Sequence, residues 1–502
     1  MDGKSLDDLA PFGRELTVAS LKWSEQFWDG EAGLLAIGSN FETAHRNVRN
    51  SIWYALGLLM RGGDGDLPGA VMAIGAVLDN QLDEPGTIYH GTFYRYVGEP
   101  HPPENPTTWR DFDPNWRQFI GTTLAIILEE YAEGLPDALV KRVDRAIQLA
   151  VEGEPPDRCA PSYTNIALMK AGLMTWAGDR YGRAEWTRDG EAFGEAVYGL
   201  FTAHGTFDEY NSPTYYGVNF YALAFWRLYS HSALLVKWGA EIEAEVWRDV
   251  AQYYHAGLKN VCGPFTRSYG MDMPNYGALL GMSIWLGIGQ TLAPFPDEVG
   301  YFDHSSDFCY GPCFGMVDTM IPEDVLSHFK AFSGERLIEK RISTTPDRVA
   351  TAWLSDKVMI GAEATPLDGS EEETYYKMSN QFHSATIHWK MPDGNVGWMR
   401  LRHLGAVNAK AEKGRLIVAG KMEQGLANKY GDDHKQFVFE LHVPRDVAVE
   451  NIRADRWDLP GLSMRVESNV GDPRIEQDGD KMNVIYTVTD LDFKPQIAFA
   501  IQ

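Results

Sequence analysis

The hydrophobic and polar positions of this 502-residue chain follow two different rhythms. From about residue 5 to 335, apolar residues recur at helical spacing in long segments rich in Ala, Leu and Gly. From about residue 338 the pattern changes to short alternating runs. Gln381–Trp389, Val396–His403, Gln436–Val443 and Lys481–Val488 are examples. They read as antiparallel strands joined by turns such as Pro392-Asp-Gly-Asn. The expected architecture is a multidomain α+β chain. An all-α domain over residues 1–335 is followed by an antiparallel β-sandwich or large sheet over 336–502.

Within the helical part, apolar helices start near Thr43, Pro114, Tyr163, Pro213 and Pro274. Second helices lie near Gly69–Leu82, Pro136–Val151, Glu191–His204 and Glu241–Val261. The last three starts are separated by roughly 50–60 residues, enough for one helical hairpin each. Such hairpins suit a solenoid or a closed (α/α) toroid. The small residues and aromatics of the first helices favour the toroid, because its inner layer is crowded.

The loop before each inner helix is polar and aromatic. His45, Arg46, Asn47, Arg49 and Asn50 stand at the first. Trp109, Arg110, Asp111, Asp113 and Asn115 precede the second, and Tyr163, Thr164 and Asn165 the third. The fourth follows His204–Asn211, and the fifth Arg267–Asp272. Parallel inner helices would bring these loops to one mouth floored by helix N-termini. Partial positive charge and unpaired N–H groups suit that mouth to an anion.

The segment His204–Tyr216 carries the densest chemistry. Ser212 and Pro213 read as N-cap and first helical residue. Asp208 and Glu209 are candidate general acids or bases, or else a cap and an arginine partner. Tyr215 and Tyr216 are either core residues or proton-transfer groups. Asn211 and Asn165 either cap helices or hydrogen-bond a substrate carboxylate. His204 has an adequate structural reason at a helix C-terminus and a possible place in substrate binding. His90, in Ile88-Tyr-His-Gly-Thr-Phe-Tyr, is either a satisfied structural histidine or ligand-facing. Arg267 has few partners in its apolar neighbourhood except the acids of the mouth or a ligand carboxylate. Tyr269 and Trp116 complete the set expected to touch substrate.

Acids outnumber bases by 70 to 45, a formal charge of −25. That excludes a nucleic-acid partner, which requires a basic surface, and disfavours a long polyanion. A single carboxylate in a locally positive pocket stays compatible. The 15 tryptophans and 23 tyrosines are generous and suit stacking on sugars as well as core packing. No stretch of about 18 apolar residues is present, so no membrane partner is expected. No secretory signal is visible at Met1–Asp8, which reads as cytoplasmic unless the chain was trimmed. Four cysteines fit reduced thiols. Cys309 and Cys313 lack a second ligand pair, so no metal is expected. No P-loop, dinucleotide fingerprint or zincin motif occurs, and no cofactor is expected.

Four blocks carry a resemblance. They are Asp113-Pro-Asn-Trp-Arg, Tyr163-Thr-Asn-Ile-Ala-Leu-Met, Phe207-Asp-Glu-Tyr-Asn-Ser-Pro-Thr-Tyr-Tyr-Gly-Val and Cys262-Gly-Pro-Phe-Thr-Arg-Ser-Tyr-Gly-Met-Asp-Met. Together they resemble (α/α)-barrel polysaccharide lyases, most closely the type that removes rhamnose from glucuronate in plant gums. The resemblance implies cleavage of a bond β to a uronate carboxylate, without water. A side chain neutralises the carboxylate, a base removes the C5 proton and an acid protonates the leaving oxygen.

On chemical grounds Asn165, Asn211 and Arg267 would bind the carboxylate. His90 or Tyr215 would be the base, and Tyr163 or Tyr216 the acid. The partner is then a carbohydrate carrying a carboxylate, with the oligomeric state unspecified. One rival is a toroid glycoside hydrolase using Asp208, Glu209 or Asp272. Another is a non-catalytic carbohydrate-binding protein.

Overall fold

The computed structural model describes residues 3–38, 44–300, 304–365, 381–444, 449–479 and 481–502. The chain forms two compact units. The first comprises Met1–Thr202, Tyr216–Glu245 and Asn275–Ile321; the second comprises Ala203–Tyr215, Val246–Pro274 and Pro322–Gln502.

The first unit is helical. Its helices are α1 (Pro11–Ser24), α2 (Val48–Arg61), α3 (Asp66–Leu78), α4 (Trp116–Tyr131), α5 (Asp137–Glu152), α6 (Thr164–Arg180) and α7 (Ala184–His204). These are followed by α8 (Tyr215–Tyr229), α9 (Ala233–Tyr253), α10 (Met273–Tyr276), α11 (Leu279–Ile288) and α12 (Gly311–Val317); the end of α7, the first residue of α8, the last turns of α9 and the start of α10 are counted with the second unit. A small sheet of β1 (Trp28–Asp29), β2 (Leu34–Ile37) and β3 (His45–Asn47) leads into α2. The Asn47 side chain caps α2 by accepting from Asn50 N at 3.0 Å.

The helices form two layers. Outer helices are amphipathic: α5 buries Leu139, Val143, Ala146, Ile147 and Ala150 along one stripe. Inner helices are buried almost throughout, as α8 is from Tyr216 to Trp226.

Inner contacts close a ring. α2 packs on α4, and α4 on α6. Trp226 of α8 donates its Nε1–H to Leu168 O of α6 at 2.8 Å. Gly217 of α8 meets α11 so closely that a Cβ there would lie 2.4 Å from the Leu279 carbonyl carbon. Both α11 and α12 pack on α1, and α12 returns to α2. This is the predicted ring of helical hairpins.

Two helices differ from the sequence reading. α9 begins at Ala233 and ends at Tyr253, where the chain turns into the hairpin of β4 (Tyr254–His255) and β5 (Asn260–Val261). The helix expected from Pro274 is split into α10 and α11. Gly277 adopts φ 61° there, a left-handed conformation that interrupts the helix.

The second unit carries α13 (Glu323–Lys330) and an antiparallel sheet. Its described strands are β6 (Arg336–Thr344), β7 (Asp347–Leu354), β8 (Val358–Ala364), β9 (Ala385–Lys390), β10 (Val396–Arg402), β11 (Val407–Glu412) and β12 (Arg415–Gly420). After two short helices, α14 (Gln424–Tyr430) and α15 (Asp432–Lys435), come β13 (Gln436–His442), β14 (Arg456–Leu459), β15 (Leu462–Ser468), β16 (Arg474–Asp478), β17 (Lys481–Thr487) and β18 (Gln496–Ile501).

The main path runs β14-β15-β18-β12-β11-β8-β9-β10-β13-β17-β16, with β6-β7 branching at β8. The sheet folds back on itself. Phe439 of β13 stands 4.9 Å from Phe499 of β18 and 6.2 Å from Trp457 of β14, although these strands are far apart along the path. Alternate residues of both halves therefore share one core. The other face of β9 and β10 is polar, and it supports the site described next.

Candidate active site

Two loops of the second unit are tied together residue by residue. Asn211 sits at φ 49°, a left-handed conformation asparagine tolerates. Its Nδ2 donates to Cys262 O at 2.7 Å and Pro264 O at 2.9 Å. Thr266 N donates to Tyr210 O at 3.1 Å. Ser212 Oγ accepts from Tyr215 N at 3.1 Å, so it caps the helix as predicted, although the helix starts at Tyr215 rather than Pro213. The same hydroxyl donates to Arg267 O.

These bonds present Arg267, Tyr215 and Tyr269 side by side. The Arg267 guanidinium lies 4.1 Å from the centroid of the Tyr215 ring. Its Nη1 pairs with Glu209 Oε1 at 3.1 Å, and its Nε donates to Gln381 Oε1 at 2.9 Å. The Tyr215 and Tyr269 hydroxyls share a hydrogen bond, with ring centroids 5.8 Å apart. Glu209 is buried, whereas Tyr215, Arg267 and Tyr269 are half-buried. The result is a cation, a carboxylate and two coupled phenols on one patch.

The sheet braces the patch from beneath. Phe265 and His383 exchange backbone hydrogen bonds at 3.1 and 2.9 Å, and Ser268 N donates to Gln381 O at 2.8 Å. His383 Nε2 lies 3.3 Å from Ser268 O, and His388 Nε2 lies 2.7 Å from Met271 O. Both histidines are fully buried, and desolvation pushes both pKa values down, that of His388 to about 4. His388 is therefore a neutral ring donating through Nε2, while His383 Nε2 also lies 3.4 Å from Arg400 Nη1. Gly263 packs against Gly361 of β8, where a Cβ would lie 2.0 Å from its carbonyl oxygen.

The neighbouring acids differ. Burial raises the pKa of Asp208, with Arg348 and His204 opposing the rise. Burial also raises that of Asp272, which accepts from Asn260 Nδ2 at 2.8 Å. Half-buried His204 ends α7, as its sequence position predicts.

The remaining sequence candidates belong to the first unit. Tyr163 is the N-cap residue of α6, and its hydroxyl accepts from Asn115 Nδ2 at 2.9 Å. Asn165 and Tyr216 are buried in the first turns of α6 and α8. Buried Trp116 has the Arg49 guanidinium 5.3 Å from its ring. His90 is buried with Nδ1 accepting from Glu84 N at 3.0 Å, and its carbonyl accepts from Arg117. The polar loops before α2, α4 and α6 thus meet at one end of the helical ring. Those before α8 and α10 meet each other in the second unit.

The sequence reading did not single out Gln381, His383 or His388. They stand in the run Gln381–Trp389, taken only as a strand. The signal available was polarity at alternate positions facing away from the apolar core, at His388 and Thr386.

A family model described as Domain of unknown function (DUF8769) matches residues 14–319. The chain belongs to this family. A second model, Domain of unknown function (DUF8770), matches residues 334–493. No curated protein matches this DUF8769 member. Among solved structures, heparinase III is similar at 9% identity and TM-score 0.42, over 98% of this chain and 85% of that one. The Streptomyces coelicolor A3 chondroitin AC lyase in complex with chondroitin sulphate is similar at 10% identity and TM-score 0.36, covering 98% and 97%. The Clostridium thermocellum endoglucanase CelQ, complexed with cellotriose, follows at 9% and 0.25, covering 98% and 92%. Among the described residues, no helix is long and apolar enough to cross a membrane.

Proposed function

We propose that the protein is a carbon–oxygen lyase that cleaves a glycosidic bond at a uronic acid residue by β-elimination. The observation that carries this reading is the Arg267–Tyr215–Tyr269 cluster. Arg267 supplies a guanidinium fork for the uronate carboxylate, already oriented by Glu209 and Gln381. Neutralising the carboxylate acidifies the C5 proton and stabilises the enolate-like charge that develops on its removal.

Tyr215 is the base in this reading. The guanidinium over its ring and the Tyr269 hydroxyl bonded to its oxygen are placed to stabilise negative charge on that oxygen during proton transfer. The C5–H bond breaks toward Tyr215 oxygen, the C4–O bond breaks, and a C4=C5 double bond forms. The leaving oxygen takes a proton from a tyrosine, for which Tyr269 is the hydroxyl already coupled to the base. Asn211 acts as a brace here, because both its amide hydrogens are used on backbone carbonyls. The substrate is a short oligosaccharide or a glucuronide. The rhamnose–glucuronate linkage is one member of that class.

The test is incubation with glucuronate-containing oligosaccharides while following ultraviolet absorbance of the conjugated product. A new absorbance that is lost in Tyr215→Phe supports elimination. Sugar release without a new double bond refutes it.

One observation favours a second reading, glycoside hydrolysis. Asp208 is kept protonated toward higher pH by burial, as a general acid must be. In that case Asp208→Asn abolishes turnover, and Tyr215→Phe leaves it nearly intact.

A further inference from the structure

The first unit holds an unusual concentration of buried cations, remote in sequence from the loops used above. Glu154, just after α5, accepts from Arg158 Nε at 2.7 Å and Nη2 at 3.0 Å, and from Gln118 Nε2 at 3.1 Å. Arg117 Nη1 stands 3.6 Å and Lys170 Nζ 3.9 Å from the same carboxylate. Three cations therefore surround one anion. Side-chain exposures are 0% for Arg117, 3% for Glu154, 6% for Lys170 and 15% for Arg158, so solvent screens this charge poorly.

The three cations are not equally engaged. Arg117 donates to His90 O, Ile88 O and Pro114 O. Arg158 donates to Glu154, Asn115 and Gln118. The contacts of Lys170 are long: Pro156 O at 3.5 Å, Glu154 Oε1 at 3.9 Å and the face of Phe193 at 4.5 Å. An ammonium carries three donors, and long contacts use them incompletely.

Lys170 also opens on a cavity. A partly open cavity of about 360 Å³ is lined by Lys170, Glu154, Trp186, Phe193, Met174 and Val151, all from α5 to α7 and their connections. Its lining combines the aromatic and aliphatic side chains with the Lys170 ammonium and the carboxylates of Glu152, Glu154 and Asp189. Glu152 and Asp189 lie 3.3 Å from Arg145 and 3.7 Å from Arg188, which offsets their charge.

We infer that this cavity binds a small carboxylic acid with a flat apolar face, its carboxylate on Lys170 Nζ and its face on Trp186 and Phe193. The ligand supplies Lys170 with a closer acceptor than Pro156 O or Glu154 and adds negative charge beside three cations. Two sources offer this chemistry. One is an aromatic acid; the other is a free uronic acid, whose ring carries an apolar C–H face.

Calorimetric titration of the full chain with phenylacetate, phenylacetamide, glucuronate and methyl glucoside tests the inference. At least one acid is expected to bind at millimolar concentration or below, at least tenfold tighter than its uncharged counterpart. Lys170→Met, which keeps the volume and removes the charge, is expected to weaken that acid at least tenfold. Trp186→Leu, away from the ion cluster, should weaken it severalfold and serves where Lys170→Met does not fold. Preference for phenylacetate identifies the aromatic source, and preference for glucuronate the sugar. Absence of binding by both acids overturns the inference, as does equal binding of acid and uncharged counterpart to the wild-type chain.

Discussion

The guanidinium of Arg267 lies 4.1 Å over the ring of Tyr215, although 52 residues separate them in sequence. A planar cation can stack in this way and still offer its edge to a carboxylate; an ammonium cannot do both. Arg267→Lys should therefore fail as a conservative change. It is expected to lower kcat/KM by roughly 10²-fold, the scale of one lost oxyanion-type donor. Initial rates of unsaturated-product formation across substrate concentrations check this. A Lys variant within threefold of wild type would show that only the charge matters.

Tyr215 and Tyr269 share one hydrogen bond between their hydroxyls. Groups that act as a unit show strongly non-additive kinetic losses. Either single Phe substitution is expected to cost roughly 10²-fold or more in kcat, within the range of one proton-transfer group. The double substitution should cost little beyond the worse single one. Multiplying losses in the double variant would mean that the two tyrosines act on separate steps.

Much of this fold was legible because its periodicities are long and uninterrupted. α5 shows a single buried stripe, and β13 and β17 alternate cleanly. The partnership of Arg267 with an acid of the mouth was legible too, since a guanidinium beside Gly263-Pro264 has no local acceptor. What stayed hidden depends on pairs of residues distant in sequence. Nothing local to His383 or His388 reveals that each holds a backbone carbonyl of the 268–271 loop. Asn211 reads as a cap or a ligand group, and its actual bonds lie more than fifty residues away, at Cys262 and Pro264. The break between α10 and α11 was missed because one glycine in a helical pattern is tolerated more often than it terminates.

Asn211 is buried, left-handed and bonded to two backbone carbonyls. Asn211→Ala leaves both acceptors unsatisfied and places a Cβ residue at positive φ without a compensating bond. A loss of about 2–6 kcal/mol is expected from the two orphaned carbonyls at about one to three kcal/mol each, with backbone strain adding to it. Asn211→Gly removes the strain and keeps the orphaned carbonyls, so it should recover only part. Urea unfolding monitored by tryptophan fluorescence measures both. Equal stability of wild type and Asn211→Gly would mean that water replaces the two amide bonds at no cost.

His388 and His403 give the second unit a built-in pH dependence. Each is buried as a neutral ring, His388 donating to Met271 O and His403 to Gln436 O at 3.0 Å. Desolvation lowers both pKa values from 6.5 to about 4. Below pH 6.5 the unfolded chain binds protons that the folded chain refuses, so stability rises with pH across this window. Each contribution is complete above pH 6.5 and is lost as pH falls through about 4. It amounts to about 3 kcal/mol per histidine, at 1.36 kcal/mol per unit. His388→Gln and His403→Asn keep a donor near the carbonyl and remove the titration. Compared at pH 7 and pH 4.5, each variant should lose less stability on acidification than wild type, by an amount approaching that figure. The comparison requires urea midpoints at both pH values. If wild type and variants lose the same amount, these rings are not neutral in the folded protein, and acid unfolding is driven by its carboxylates.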